Sequence, residues 1–314
     1  MTALEERIAG GLWGLLVGDA VGVPYEFHPP HDLPPREQID MRPPPGFRRA
    51  HAGVSPGTWS DDGAQALALL ASLLECGALD LADFGRRLVA WYERGYLAVD
   101  NHVFDVGIQT SQAIRELMAG APAHSAGPAH EHANGNGSLM RVLPLALWHR
   151  GSDHELVRDA HAQSLVTHGH LRSQVCCALY CLWARRMLQD VPDAWGEAAR
   201  TLRTIYGGAS PAAEELERQI RPDEPPEGRG SGYVVDCLRS ARLAIGAGGY
   251  EDVVRAAIAL GHDTDTTACV AGGIAGIRDG VGAIPSRWLE QLRGKDLVEP
   301  LLRQLIEYAG AVSG

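Results

Sequence analysis

Two short acidic clusters far apart in the chain constrain this fold most. They are Ser60-Asp61-Asp62 and Asp263-Thr264-Asp265-Thr266. Each packs carboxylates and a hydroxyl into a few residues. Such all-oxygen sets suit hard divalent cations, Mg2+ or Mn2+. Carboxylates crowded together without counter-charge repel one another and desolvate badly. A fold that joins the two clusters is expected to hold a pair of divalent ions between them.

The clusters also read as helix starts. Ser60 is placed to cap a helix, and the aspartates complement its dipole. In the second cluster two aspartates and Thr266 exceed what a cap requires. The small residues that follow, Ala268 to Gly276, give that helix a face that another helix can approach closely. Ala and Leu dominate, aromatics are 6% of the chain, and β-branched runs are few. Apolar residues recur at i, i+3 and i+4 over 8–23, 62–76, 81–92, 104–118, 138–148, 155–166, 171–188, 212–219, 232–245, 250–260, 266–277 and 286–308. The expectation is an all-α fold of many helices joined by short loops, in one domain over 1–314. The Pro-rich basic stretch 29–56, carrying Arg36, Arg42, Arg48 and Arg49, is expected to be an ordered surface loop or lid.

The net charge of −11, from 28 basic and 39 acidic residues, argues against broad nucleic-acid binding, which needs a basic stripe. The six cysteines form no C-x-x-C and sit in apolar, helix-like contexts, as reduced buried thiols do. The acidic start, Met1 to Glu6, makes a poor signal peptide. Apolar runs read as broken by charge or too short to span a membrane. A cytoplasmic monomer without membrane contact is expected.

Six further strings carry a resemblance. They are Gly10-Gly11-Leu12-Trp13-Gly14 with Gly18-Asp19-Ala20-Val21-Gly22 and Pro24-Tyr25-Glu26; Trp59-Ser60-Asp61-Asp62; Phe104-Asp105-Val106-Gly107 with Thr110; Gly135-Asn136-Gly137-Ser138-Leu139-Met140-Arg141; Thr167-His168; and Gly261-His262-Asp263-Thr264-Asp265-Thr266. In this order, over nearly the whole chain, they resemble the ADP-ribosylglycohydrolases, the group that includes the dinitrogenase reductase-activating glycohydrolase. Ser60 stands where the family usually has Thr and keeps the hydroxyl.

The resemblance implies a compact, single-domain, multi-helix orthogonal bundle with a central dinuclear site of two Mg2+ or Mn2+ ions, held by Ser60, Asp61, Asp62, Asp263, Asp265 and Thr266. It implies catalytic roles for Glu26, near the distal ribose, and Asp105, a candidate base. It implies ligand contacts for Gly137, Ser138 and His168. The implied activity is hydrolysis of the glycosidic bond between ADP-ribose and a modified acceptor, with arginine-linked ADP-ribose on protein as leading substrate. Serine-linked, O-acetyl- and nucleobase-linked ADP-ribose are alternatives, as is an inactive ADP-ribose-binding protein. Intact Glu26, Asp61, Asp62, Asp263 and Asp265 argue against decay. Asp263-Thr264-Asp265-Thr266-Thr267 also fits the D-x-D-x-T string of haloacid-dehalogenase-like phosphatases. Its late position, after an Ala-rich helix, argues against that reading.

Overall fold

A computed structural model describes residues 2–312. Met1, Ser313 and Gly314, the ends of the expected domain and the first residue of the acidic start, lie outside the described residues. The α-helices are α1 (Ala3–Gly22), α2 (Asp61–Cys76), α3 (Leu81–Arg94), α4 (Ile108–Met118), α5 (Leu143–Trp148), α6 (Asp153–Leu165), α7 (Leu171–Leu188), α8 (Ala194–Tyr206), α9 (Pro211–Glu215), α10 (Val234–Ile245), α11 (Tyr250–Ile258), α12 (Thr264–Asp279), α13 (Ser286–Gln291) and α14 (Lys295–Val312). Among the described residues there is no strand, only an isolated bridge between Gly135 and Tyr233. The all-α expectation holds. One buried apolar cluster runs from Ile8 to Ala309.

α1 starts at a capping box: Thr2 Oγ1 accepts the Glu5 N–H, and the Glu5 carboxylate accepts the Thr2 N–H. From Ile8 onward the helix is covered on almost every side, Trp13 alone being partly exposed. A helix that is apolar all round belongs in a core. The stretch Ala3–Tyr25 is in fact long and apolar enough to cross a membrane. This corrects the reading that the apolar runs are too short or too charged. Its hydrophobicity serves burial among other helices.

α1 packs backbone to backbone on α12. Gly10, Gly14, Gly18 and Gly22 repeat every fourth residue and line one stripe. A Cβ on Gly10 would lie 2.1 Å from the Gly276 carbonyl oxygen, and one on Gly18 would lie 2.2 Å from that of Ala268. The helices run antiparallel, so the end of α1 meets the start of α12. That contact places the second acidic cluster against the segment leading to Glu26.

Several elements differ from expectation. The segment 104–118 is helical only from Ile108, because Asp105 adopts φ 54°. The segment 138–148 is helical only from Leu143, with Pro144 in the first turn. The segment 286–308 is two helices parted near Gly294, whose φ is 69° and whose missing side chain leaves room for Trp59. α8 had no counterpart in the sequence reading. Its apolar face is mostly alanine: Ala194, Ala198 and Ala199 with Leu202. The Pro-rich loop is ordered by side-chain ties. Arg36 donates to the Asp252 carbonyl, Arg42 Nε to Gln291 Oε1 at 3.0 Å, and Arg49 to the Ala52 carbonyl at 2.9 Å.

Candidate functional site

The two acidic clusters meet. Ser60 caps α2, its hydroxyl accepting the Asp62 N–H and donating to Asp62 Oδ2 at 2.9 Å. Thr266, in the first turn of α12, donates from Oγ1 to that same Asp62 oxygen at 3.3 Å. The start of α12 is held in place by Thr264, whose hydroxyl donates to the Gly22 carbonyl at 2.8 Å. α1 adds a carboxylate of its own. Asp19, fully buried, accepts the N–H of Ser60 at 2.9 Å and that of Gly63 at 2.8 Å.

Carboxylate oxygens of Asp19, Asp62 and Asp265 lie within 4.8 Å of one another, and so do those of Glu26, Asp263 and Asp265. Asp265 belongs to both groups. Asp62 Oδ1 and Asp265 Oδ2 are buried and have no hydrogen-bond partner. Unpaired buried acceptors are costly. Burial, reinforced by the neighbouring carboxylates, raises Asp61, Asp62 and Asp265 well above the usual carboxyl range. Burial likewise raises Asp19 to about 7, Glu26 to about 10 and Asp105 to about 6. Arg141 reaches the cluster only through an amide: its Nη1 donates to Gln65 Oε1 at 2.9 Å, and Gln65 Nε2 to Asp61 Oδ2 at 3.0 Å. An all-oxygen set with orphaned acceptors and, among the described residues, no arginine or lysine ion-pair partner fits hard divalent cations.

The clusters floor a cavity of about 260 Å3, whose lining includes Glu26, Asp61, Asp105, Gly137, His168, Asp263 and Thr266. Ser60, Asp62 and Asp265 sit behind that lining. Ser138 is buried, its hydroxyl accepting from Ser164 Oγ at 2.8 Å and lying 3.5 Å from Cys177 Sγ. His168 is paired at Nδ1 with Thr167 Oγ1 at 2.8 Å, and burial lowers it to about 3, so its imidazole is neutral. A Cβ on Gly137 would lie 2.8 Å from His168 Cε1, so glycine keeps the wall open.

Other residues singled out by the sequence are structural. Arg141 lies buried over the Phe84 ring at 5.0 Å and bonds Gln65 and Gln163. Trp59 is buried, its Nε1 donating to the Leu97 carbonyl at 3.1 Å. His170 caps α7.

Four site neighbours escaped the sequence reading of roles: Asp19, His51, Gln109 and Asn136. Asn136 donates to Asp263 Oδ2 at 2.9 Å, and Gln109 accepts the Gly135 N–H at 2.7 Å. His51 Nε2 lies 2.6 Å from Glu26 Oε2. Asp19 had a signal, being the lone carboxylate in the apolar stretch 8–22, and Asn136 stood inside the string Gly135-Asn136-Gly137 without a role. His51 and Gln109 had none.

The family model for ADP-ribosylglycohydrolase matches residues 1–313. The ADP-ribosylarginine hydrolase Tri1 of Pseudomonas putida (strain GB-1) is 31% identical over 313 residues, covering 98% of this chain and 80% of that protein. The ADP-ribosyl-(dinitrogen reductase) glycohydrolase of Rhodospirillum rubrum is 30% identical over 318 residues, covering 99% and 98%. A solved structure, an ADP-ribosylglycohydrolase-related protein complex, superposes with a TM-score of 0.78 at 30% identity, covering 98% of this chain and 99% of that one. With the whole chain matched and the acidic clusters joined in one cleft, this protein belongs to the ADP-ribosylglycohydrolase family.

Proposed function

We propose that this chain is a metal-dependent hydrolase that removes ADP-ribose from arginine side chains of modified proteins. The observation that carries the reading is the junction of the two acidic clusters, through Thr266 and Asp62, at the floor of an open cleft. The names of the Pseudomonas putida and Rhodospirillum rubrum relatives support the substrate class. Action as a single-domain cytoplasmic monomer belongs to the same proposal. Six free cysteines suit a reducing compartment, and one continuous core suits one domain.

Two Mg2+ or Mn2+ ions are the expected cofactors. Ser60, Asp61, Asp62, Asp263, Asp265 and Thr266 would hold them, with Asp19 supporting Ser60 and the α2 start. When bound, such ions orient ribose hydroxyls and make a coordinated water more acidic. The chain does the rest. Gly137 lets the ligand approach the backbone. Neutral His168 offers a hydrogen bond without adding charge. Glu26 or Asp105 takes the proton of the attacking water, a general-base role. As the C–N bond at the ribose anomeric carbon breaks through an oxocarbenium-like state, favoured electrostatically by the surrounding carboxylates, the water oxygen adds to that carbon and the proton taken by the carboxylate passes to the departing guanidine nitrogen.

The test is a linkage panel of arginine-, serine- and acetyl-linked ADP-ribose, with Mn2+ and with chelator. Release from arginine only when Mn2+ is present is expected. Binding of ADP-ribose without cleavage of any linkage would instead make the protein a binder.

A further inference from the structure

His51 belongs to neither acidic cluster. It comes from the Pro-rich loop, yet its ring reaches the cleft. Its Nε2 lies 2.6 Å from Glu26 Oε2 and 4.0 Å from Asp105 Oδ1. Among the described residues it is the one basic side chain with a nitrogen within 4.0 Å of any carboxylate of the site. The ring packs between two others, 5.5 Å from Phe27 and 5.1 Å from Phe104 by centroid. Those phenylalanines are the sequence neighbours of Glu26 and Asp105.

The backbone is committed to this arrangement. Phe27, His51 and Asp105 have φ of 63°, 46° and 54°. Left-handed conformations are uncommon for non-glycine residues and persist where the surroundings over-determine them. Here Ala50 N–H donates to the Pro24 carbonyl at 2.9 Å, and Val54 N–H to the His51 carbonyl at 2.7 Å. The loop is therefore tied just before His51 to the segment leading to Glu26 and turns just after it, and the ring's hydrogen-bond partner is Glu26.

We infer that His51 is a positioning residue that fixes the carboxylate of Glu26 in the cleft. The inference rests on the reading of this cleft as the hydrolase site. With two methylenes between backbone and carboxyl, the Glu26 side chain has several positions open to it. A hydrogen bond from a ring clamped between two phenylalanines holds it at one point instead. Partners of this kind, one step removed from the reacting groups, typically change activity by roughly 10–100-fold when removed.

Two substitutions separate positioning from packing. His51→Phe keeps a ring between Phe27 and Phe104 and removes the polar atom. His51→Gln removes the ring and returns an amide near Nε2, able to offer either an N–H or a C=O. Each is read by crystal structure, by thermal melting and by kcat and KM on ADP-ribosyl-arginine with Mn2+. The expected result is a displaced Glu26 side chain and a kcat lower by roughly tenfold or more in His51→Phe, with KM little changed. His51→Gln recovers most of the loss. An unmoved Glu26 in His51→Phe, or an equal loss in both variants, overturns the inference. Should the wild-type protein turn over no linkage, the hydrolase reading fails, and the Glu26 position in the His51→Phe crystal still decides whether His51 holds it.

Discussion

Gly22, the last residue of α1, lies so close to Asp265 that a Cβ there would come within 2.4 Å of the Asp265 Cα. The glycine stripe thus sets the distance between two helices and the seat of the second acidic cluster. Gly22→Ala or Gly18→Ala forces the helices apart. Overpacking of this kind costs about 1–3 kcal/mol or more. Denaturant melts should show that loss together with weaker Mn2+ binding. Gly53→Ala, at a position with nothing within 4 Å, should stay within about 0.5 kcal/mol of wild type.

Asp61→Ala and Asp265→Ala should each abolish Mn2+ binding and turnover while the chain stays folded. Asp265→Asn sharpens this, because it keeps volume and removes charge beside an oxygen that has no partner. The metal-free Asp265→Asn protein should melt at or above the metal-free wild type. Calorimetric Mn2+ titration and thermal melts check both. Retained turnover in both alanine variants contradicts the assigned site.

The metal-free protein should lose stability as pH rises. Asp105 and Asp19 are raised in the folded chain from 3.8 to about 6 and about 7. The folded form binds these protons more tightly than the unfolded one. Their stabilisation is complete below the unfolded value and disappears as pH climbs through the folded values. Cations held beside these carboxyls oppose their protonation, so the gap in melting temperature between Mn2+-loaded and chelated protein should widen from pH 5 to pH 8. A constant gap counts against cation binding next to them.

Gly137→Ala should push His168 out of place, since the added Cβ would lie 2.8 Å from its Cε1. ADP-ribose affinity should fall by at least about tenfold, with stability little affected. Titration calorimetry with ADP-ribose alone reads this without catalysis.

The sequence carried the centre of this site and little of its surroundings. Carboxylates next to hydroxyls at two helix starts announce oxygen-ligand chemistry, and Ala268 to Gly276 announces close helix approach. Both depend on local composition, and Thr266 meeting Asp62 is their product. Asp19 was visible as the lone charge in α1 after Arg7, but only packing shows that it accepts from Ser60 and Gly63. His51 and Asn136 gain meaning from contacts between distant segments, which no local pattern encodes. Helix ends failed where one backbone angle decides them, at Asp105 and at Gly294. α8 escaped because an alanine face packs as well as a leucine face and stands out less.

Anomalous diffraction from a crystal soaked in Mn2+ tests the central claim most directly. The account predicts peaks among the carboxylates of Asp62, Asp263 and Asp265. A fully occupied soak with no peak there would contradict it.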